Sequence, residues 1–224
     1  MKYVILSPPR TGSFLACQLL EEYLINKYPL EYARTPFYEL FNRPGRTEAS
    51  VILSNDKLKA AHKGIGVSTN KSILELMDKS PYNYLVKLGY KNVSQLKWLI
   101  EKGYKVITTF RGDFNDQLNS YAECLLTNKW HSYIKNPDKI NFGSSYAYEQ
   151  RVRSINTIDI EPYRKALTKY NTINFEISKS VNAQFIKLED FQDDYDQFYL
   201  ALGLTDFKQY VPNYDFIVST KTKE

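Results

Sequence analysis

At 224 residues the chain is long enough to bury one full hydrophobic core, and its 43% hydrophobic and 25% charged content is ordinary globular usage. A formal net charge of +5 is compatible with an anionic ligand but does not by itself imply nucleic acid, and the 19 Tyr and 12 Phe are scattered rather than interleaved with Arg in one tract, so they read as core rings. With no apolar run of about eighteen residues and no basic-then-apolar leader, the expectation is a cytoplasmic protein without a membrane anchor.

The first predicted element is a strand over Lys2 to Leu6, which breaks at Ser7-Pro8-Pro9-Arg10-Thr11-Gly12-Ser13 and gives way to a helical pattern from Ser13 to Asn26. A buried strand feeding a helix through small and hydroxylated residues leaves the helix's first N–H groups without intrahelical acceptors, and it aims the positive end of the dipole at the loop. That chemistry suits a phosphate or sulfate group. No Lys follows Gly12, so the loop is not an ordinary ATP or GTP cradle; the bland alternative is a proline-rich turn capped by Ser13. Further along, helices are predicted near Ser72 to Asp78, Ser94 to Lys102 and Asp116 to Leu126, with strands at Tyr84 to Leu88 and Tyr104 to Phe110. A helical run follows Glu161, then a strand at Ala183 to Lys187 and a helix at Tyr195 to Leu202. Glu189 and Asp190 stand where they can cap that last helix, and Gly203 where it can supply a left-handed C-terminal turn. Cys17 and Cys124 fall on predicted helices without metal-ligand spacing and read as reduced core thiols.

Strands and helices that alternate in this way imply right-handed crossovers and a parallel sheet covered on both faces, with ligands beyond the carboxyl ends of the strands. The expected fold is therefore three-layer α/β, a single domain over 1–224, in which the stretch of about 127–180 forms a helical cap.

Three segments, in the right order, resemble the sulfotransferase family. Pro-Arg-Thr-Gly-Ser at 9–13 resembles its phosphosulfate loop; Arg111 at a strand end, followed by Ser120 in the next helix, resembles its 3′-phosphate site; and Leu188-Glu189-Asp190-Phe191 leading to Leu202-Gly203-Leu204 resembles its late strand and helix. The interval from Arg111 to Ser120 is one residue longer than the usual pattern, with the extra residue placed before Asp116. The resemblance implies a P-loop NTPase-like fold and transfer of a sulfuryl group from 3′-phosphoadenosine 5′-phosphosulfate, without a metal, to a hydroxyl or amine of a small molecule, saccharide or peptide. It implies binding of the phosphosulfate by Arg10, Thr11, Gly12, Ser13 and Phe14, binding of the 3′-phosphate by Arg111 and Ser120, and a grip on the sulfuryl oxygens by Lys87. An ion pair from Arg111 to Asp113 or Asp116, and a solvated Lys87, remain open beside these roles.

Where the family's cytosolic members carry a His two residues after that Lys, this chain has Gly89. A carboxylate can serve as base instead, and Glu39 within Thr35-Pro36-Phe37-Tyr38-Glu39 is preferred to Glu31; His62 and His131 stand alone, and Lys221 and Lys223 are the tail's only basic substitutes for a missing Arg-Lys-Gly segment. Two other readings are carried: a small-molecule P-loop kinase, and a nucleotide-binding protein of the same fold without catalysis.

Overall fold

The structure, a computed structural model, describes residues 1–32, 70–127 and 159–217. Among them four strands form one parallel sheet: β1 (Lys2–Leu6), β2 (Val86–Leu88), β3 (Tyr104–Phe110) and β4 (Gln184–Lys187), in the order β2-β1-β3-β4. The helices are α1 (Ser13–Lys27), α2 (Asn70–Lys79), α3 (Val93–Glu101), α4 (Phe114–Thr127), α5 (Glu161–Ser180), α6 (Asp196–Ala201) and α7 (Phe207–Tyr210).

Side chains of a strand alternate between faces, and β1 divides accordingly. Tyr3 and Ile5 join α1 and the C-terminal helices in one core, with Leu19, Leu20, Phe198 and Phe207. Val4 and Leu6 pack on the opposite face with Ile73 of α2, Leu96 and Leu99 of α3, and Ile177 of α5. The apolar run is thus buried on both sides, as a central parallel strand requires. Register aligns Ile5 with Lys87 on one side and Ile107 on the other, so Lys87 projects toward the α1 face while Val86 and Leu88 project away from it.

α5 crosses the second face obliquely, in three contacts. Ser178 Oγ lies 2.7 Å from Thr108 Oγ1 of β3, Asn174 Nδ2 donates to the carbonyl of Leu6 at the end of β1 (3.3 Å), and Tyr170 reaches Gly89 just beyond β2. Leu167, Asn174 and Ser178 are its buried residues, so much of its inward face is polar. It occupies the second half of the predicted cap stretch; 128–158 lie outside the described residues.

The last helix differs from expectation at its start. The carboxylate of Glu189 turns away from α6 and accepts from the amides of Gly112 (3.0 Å) and Asp113 (3.3 Å) in the loop before α4, a helix capped by Asp113 Oδ1, which accepts from Asp116 N–H (3.0 Å). Asp194 Oδ1, not Asp190, accepts from Asp196 N–H at the head of α6 (3.1 Å). Gly203 has φ +70 and Leu204 N–H returns to Tyr199 O (2.9 Å), the expected left-handed stop. Both cysteines are buried and reduced.

Candidate functional site

Two loops leave the carboxyl edge of the sheet side by side, after β1 and after β3. The first is fixed from beneath by hydroxyls. Ser7 Oγ accepts from Thr109 N–H (3.0 Å) and Thr109 Oγ1 (2.8 Å), Thr11 Oγ1 donates to Pro8 O (2.9 Å), and Thr11 and Thr109 hydroxyls lie 3.0 Å apart. Ser7, Thr11 and Thr109 are all buried, so these bonds satisfy groups that would otherwise be costly to remove from water. Above this floor the backbone turns through two left-handed residues, Arg10 (φ 62) and Gly12 (φ 72). A non-glycine residue in that region is strained by about 1 kcal/mol or more, and such strain collects at functional sites. At Gly12 the sequence has no alternative: a Cβ would also run into the Leu188 side chain.

Gly12, not Ser13, takes the N-cap position of α1, and among the described residues no side chain caps the helix. Its first intrahelical bond runs from Ala16 N–H to Gly12 O (2.9 Å), so the amides of Ser13, Phe14 and Leu15 precede the ladder. No acidic residue occupies the first turn. The sequence therefore builds an electropositive helix end with Arg10 beside it.

Arg10 Nε donates to Ser120 Oγ of α4 (2.8 Å), across 110 residues of chain. Arg111, at the end of β3, is paired through Nη2 with Asp116, while its buried Nε has no partner among the described residues. The two residues expected at one phosphate are thus distributed: Ser120 stands with Arg10, Arg111 with Asp116, and no hydrogen bond joins Arg111 to Ser120 among the described residues. Lys87 is half-buried on β2, level with Ile5, on the α1 side of the sheet. Glu31 is exposed at the opposite, amino end, where its carbonyl receives Asn83 N–H (2.7 Å), and is therefore remote from Arg10. Glu39, His62, His131, Lys221 and Lys223 lie outside the described residues.

A cavity of about 250 Å³ opens between the two loops and α5, lined by Pro8, Phe110, Arg111, Gln117, Asn171 and Phe175 among others. Gln117 holds its floor: Nε2 donates to Pro9 O (2.8 Å) and to Asn171 Oδ1 (3.2 Å), and Asn171 Nδ2 returns a bond to Gln117 Oε1 (2.9 Å). Asn174 is fully buried with Oδ1 unpartnered among the described residues. None of Gln117, Asn171, Asn174 or Tyr170 is singled out by the sequence motifs. The available signal was the spacing of Asn171, Asn174 and Ser178, polar residues at helical intervals on what must be an inward face.

Charge at the rim is shaped by Glu189. Burial works against its ionised form, but the amides of Gly112, Glu189 itself and Asp113, with Lys187 nearby, outweigh that cost and hold the carboxyl below the usual glutamate range. Burial, reinforced by Tyr90, raises the Tyr121 phenol, which is therefore neutral at physiological pH. Among the described residues no cluster of His, Cys, Asp and Glu could hold a metal ion, and no helix is long and apolar enough to cross a membrane.

No family model matches this sequence, and no curated protein matches it.

Proposed function

We propose that the chain is a sulfotransferase that takes the sulfuryl group of 3′-phosphoadenosine 5′-phosphosulfate, releasing adenosine 3′,5′-bisphosphate. The observation that carries this is the loop after β1, in which left-handed Arg10 and Gly12 lead into an α1 terminus with no acidic residue, beside Arg111, whose buried Nε has no partner among the described residues. These groups fit a nucleotide bearing anions at two places: Arg10 with the amides of Thr11, Gly12, Ser13 and Phe14 for the phosphosulfate, Arg111 and Ser120 for the 3′-phosphate. Bound there, the donor supplies an activated sulfuryl group for in-line transfer to a hydroxyl or amine.

The chain's own tasks are electrostatic. Arg10 and Lys87 offset negative charge on the leaving phosphate and on the moving oxygens, while the buried hydroxyls under the loop keep its amides in place without reorganisation. Removal of the acceptor's proton falls to Glu39 in this account. Glu39→Gln is expected to keep nucleotide affinity while turnover falls by about 10² to 10⁴.

The test is turnover of sulfur-labelled donor over a library of hydroxyl and amine acceptors. Label transfer that disappears with Arg10→Ala supports the proposal; tight binding of adenosine 3′,5′-bisphosphate without transfer to any acceptor supports the second reading, a nucleotide-binding protein without catalysis. That alternative is favoured by one observation, the glycine at 89 in place of an ionisable side chain.

A further inference from the structure

Gly89 is buried, and its backbone is extended (φ −108, ψ 171), a conformation any residue adopts. Its glycine is thus required by space rather than by backbone geometry. A Cβ there would collide with the Tyr170 hydroxyl and stand 3.3 Å from Tyr170 Cζ. The ring that carries this hydroxyl packs edge-on against Tyr90, with centroids 4.4 Å apart and planes at 86°. Tyr90 belongs to the short helix that follows Gly89, so the segment that leaves room for the hydroxyl also fixes the ring.

The contact falls at the edge of the candidate site. Leu88 O accepts from Ser7 N–H (3.1 Å), which puts Gly89 one residue from the first amide of the loop after β1. The next residue on α5, Asn171, reaches the other side of that loop through Gln117 and Pro9 O. One turn of α5 therefore delivers a phenol to the end of β2 and an amide to Gln117, which holds the loop.

The sheet order β2-β1-β3 gives direction to a bound donor. A donor with its 3′-phosphate at Arg111 beyond β3 and its 5′-phosphate on the loop after β1 would direct its terminal sulfuryl group toward β2. We propose that the Tyr170 hydroxyl is a binding group for the sulfuryl end of the donor, giving a hydrogen bond to one of its oxygens, and that Gly89 is required because it leaves that hydroxyl its place. A phenol whose position is set by packing adds a donor at this point without reorganisation, alongside the charge that Arg10 and Lys87 bring. The inference rests on the sulfotransferase reading.

Its test is calorimetric titration of the full chain with 3′-phosphoadenosine 5′-phosphosulfate and, separately, with adenosine 3′,5′-bisphosphate, which lacks the sulfuryl group. Tyr170→Phe keeps the ring against Tyr90 and is expected to weaken the sulfated nucleotide about tenfold while leaving the bisphosphate unchanged. Gly89→Ala, which displaces the hydroxyl, is expected to reproduce that selective loss. In the Tyr170→Phe background Gly89→Ala should add little, because the oxygen it strikes is gone. Equal changes for both nucleotides, no change for either, or additive losses in the double variant would overturn the assignment. Failure of the unaltered chain to bind either nucleotide would instead overturn the sulfotransferase reading beneath it.

Discussion

The loops after β1 and β3 begin alike, each leading from a buried parallel strand into a helix, yet their helix ends are dressed differently. At α1 no acidic side chain stands in the first turn, the cap is a left-handed glycine, and the neighbouring side chain is Arg10. At α4 the exposed amides of Gly112 and Asp113 already hold the Glu189 carboxylate, and Asp116 holds Arg111. The same helix-end physics is thus met at one loop by a side-chain cap, Asp116 N–H to Asp113 Oδ1 (3.0 Å), and at the other without a side-chain cap among the described residues. Under the proposed function, this difference would give the principal anion to α1 and leave Arg111 the narrower task of discriminating a second one.

The most damaging way to break the contrast is to rigidify the first loop wrongly. Gly12→Ala places a Cβ at φ 72 and against Leu188, and the combined left-handed and overpacking penalties come to about 3 kcal/mol. For a chain of this size that lowers Tm by about 6–12 °C, readable by differential scanning calorimetry. A Tm within a degree of the parent would show that the loop is not locked as described.

Arg111→Ala sharpens the comparison at the second loop. A charge-assisted bond contributes about 1.5–3 kcal/mol, so affinity for adenosine 3′,5′-bisphosphate should fall about 10- to 150-fold while adenosine 5′-phosphate is little affected. Equal losses for the two nucleotides would remove Arg111 from the 3′-phosphate. Arg10→Ala, at the first loop, should weaken both nucleotides by about tenfold, or 1.4 kcal/mol, since each places its 5′-phosphate there.

The smallest effect belongs to Glu189. Because its folded pKa lies below its unfolded value of about 4.3, its contribution is fully present above that value and is lost as pH falls through the folded one. Glu189→Gln should therefore lower stability by about 1 kcal/mol at pH 7, and the difference should shrink as acid protonates the parent's carboxyl. Denaturant melts at pH 7 and below pH 4 measure it; a pH-independent difference would mean the amides of Gly112 and Asp113 do not stabilise the charged form.

What could be read from the sequence follows the range of the forces involved. β1 and β3 are recovered with their ends, since the apolar run Tyr3 to Leu6 and the β-rich run Tyr104 to Phe110, each closely followed by Pro or Gly, specify buried strands locally. β2 was drawn two residues too long, because Tyr84 and Leu85 are as apolar as strand residues, yet the ladder with β1 begins only at Val86. The strand-loop-helix of the candidate site was legible for the same local reason. Its closure was not: Arg10 meets Ser120 across 110 residues and Gly112 meets Glu189 across 77, and a carboxylate carries no mark of which amides it will meet. For α5's polar inward face the sequence carries only the helical spacing of Asn171, Asn174 and Ser178, which departs from the apolar period by which inward faces are recognised.

The account stands or falls on what the loop after β1 holds. Calorimetric titration of the full chain with adenosine 3′,5′-bisphosphate, ATP and adenosine 5′-phosphate under one set of conditions measures it directly. The account predicts tightest binding of the bisphosphate, with adenosine 5′-phosphate weaker by at least tenfold and ATP weaker still, because no Lys follows Gly12 to meet its outer phosphates. Binding of ATP equal to or tighter than that of the bisphosphate would contradict it.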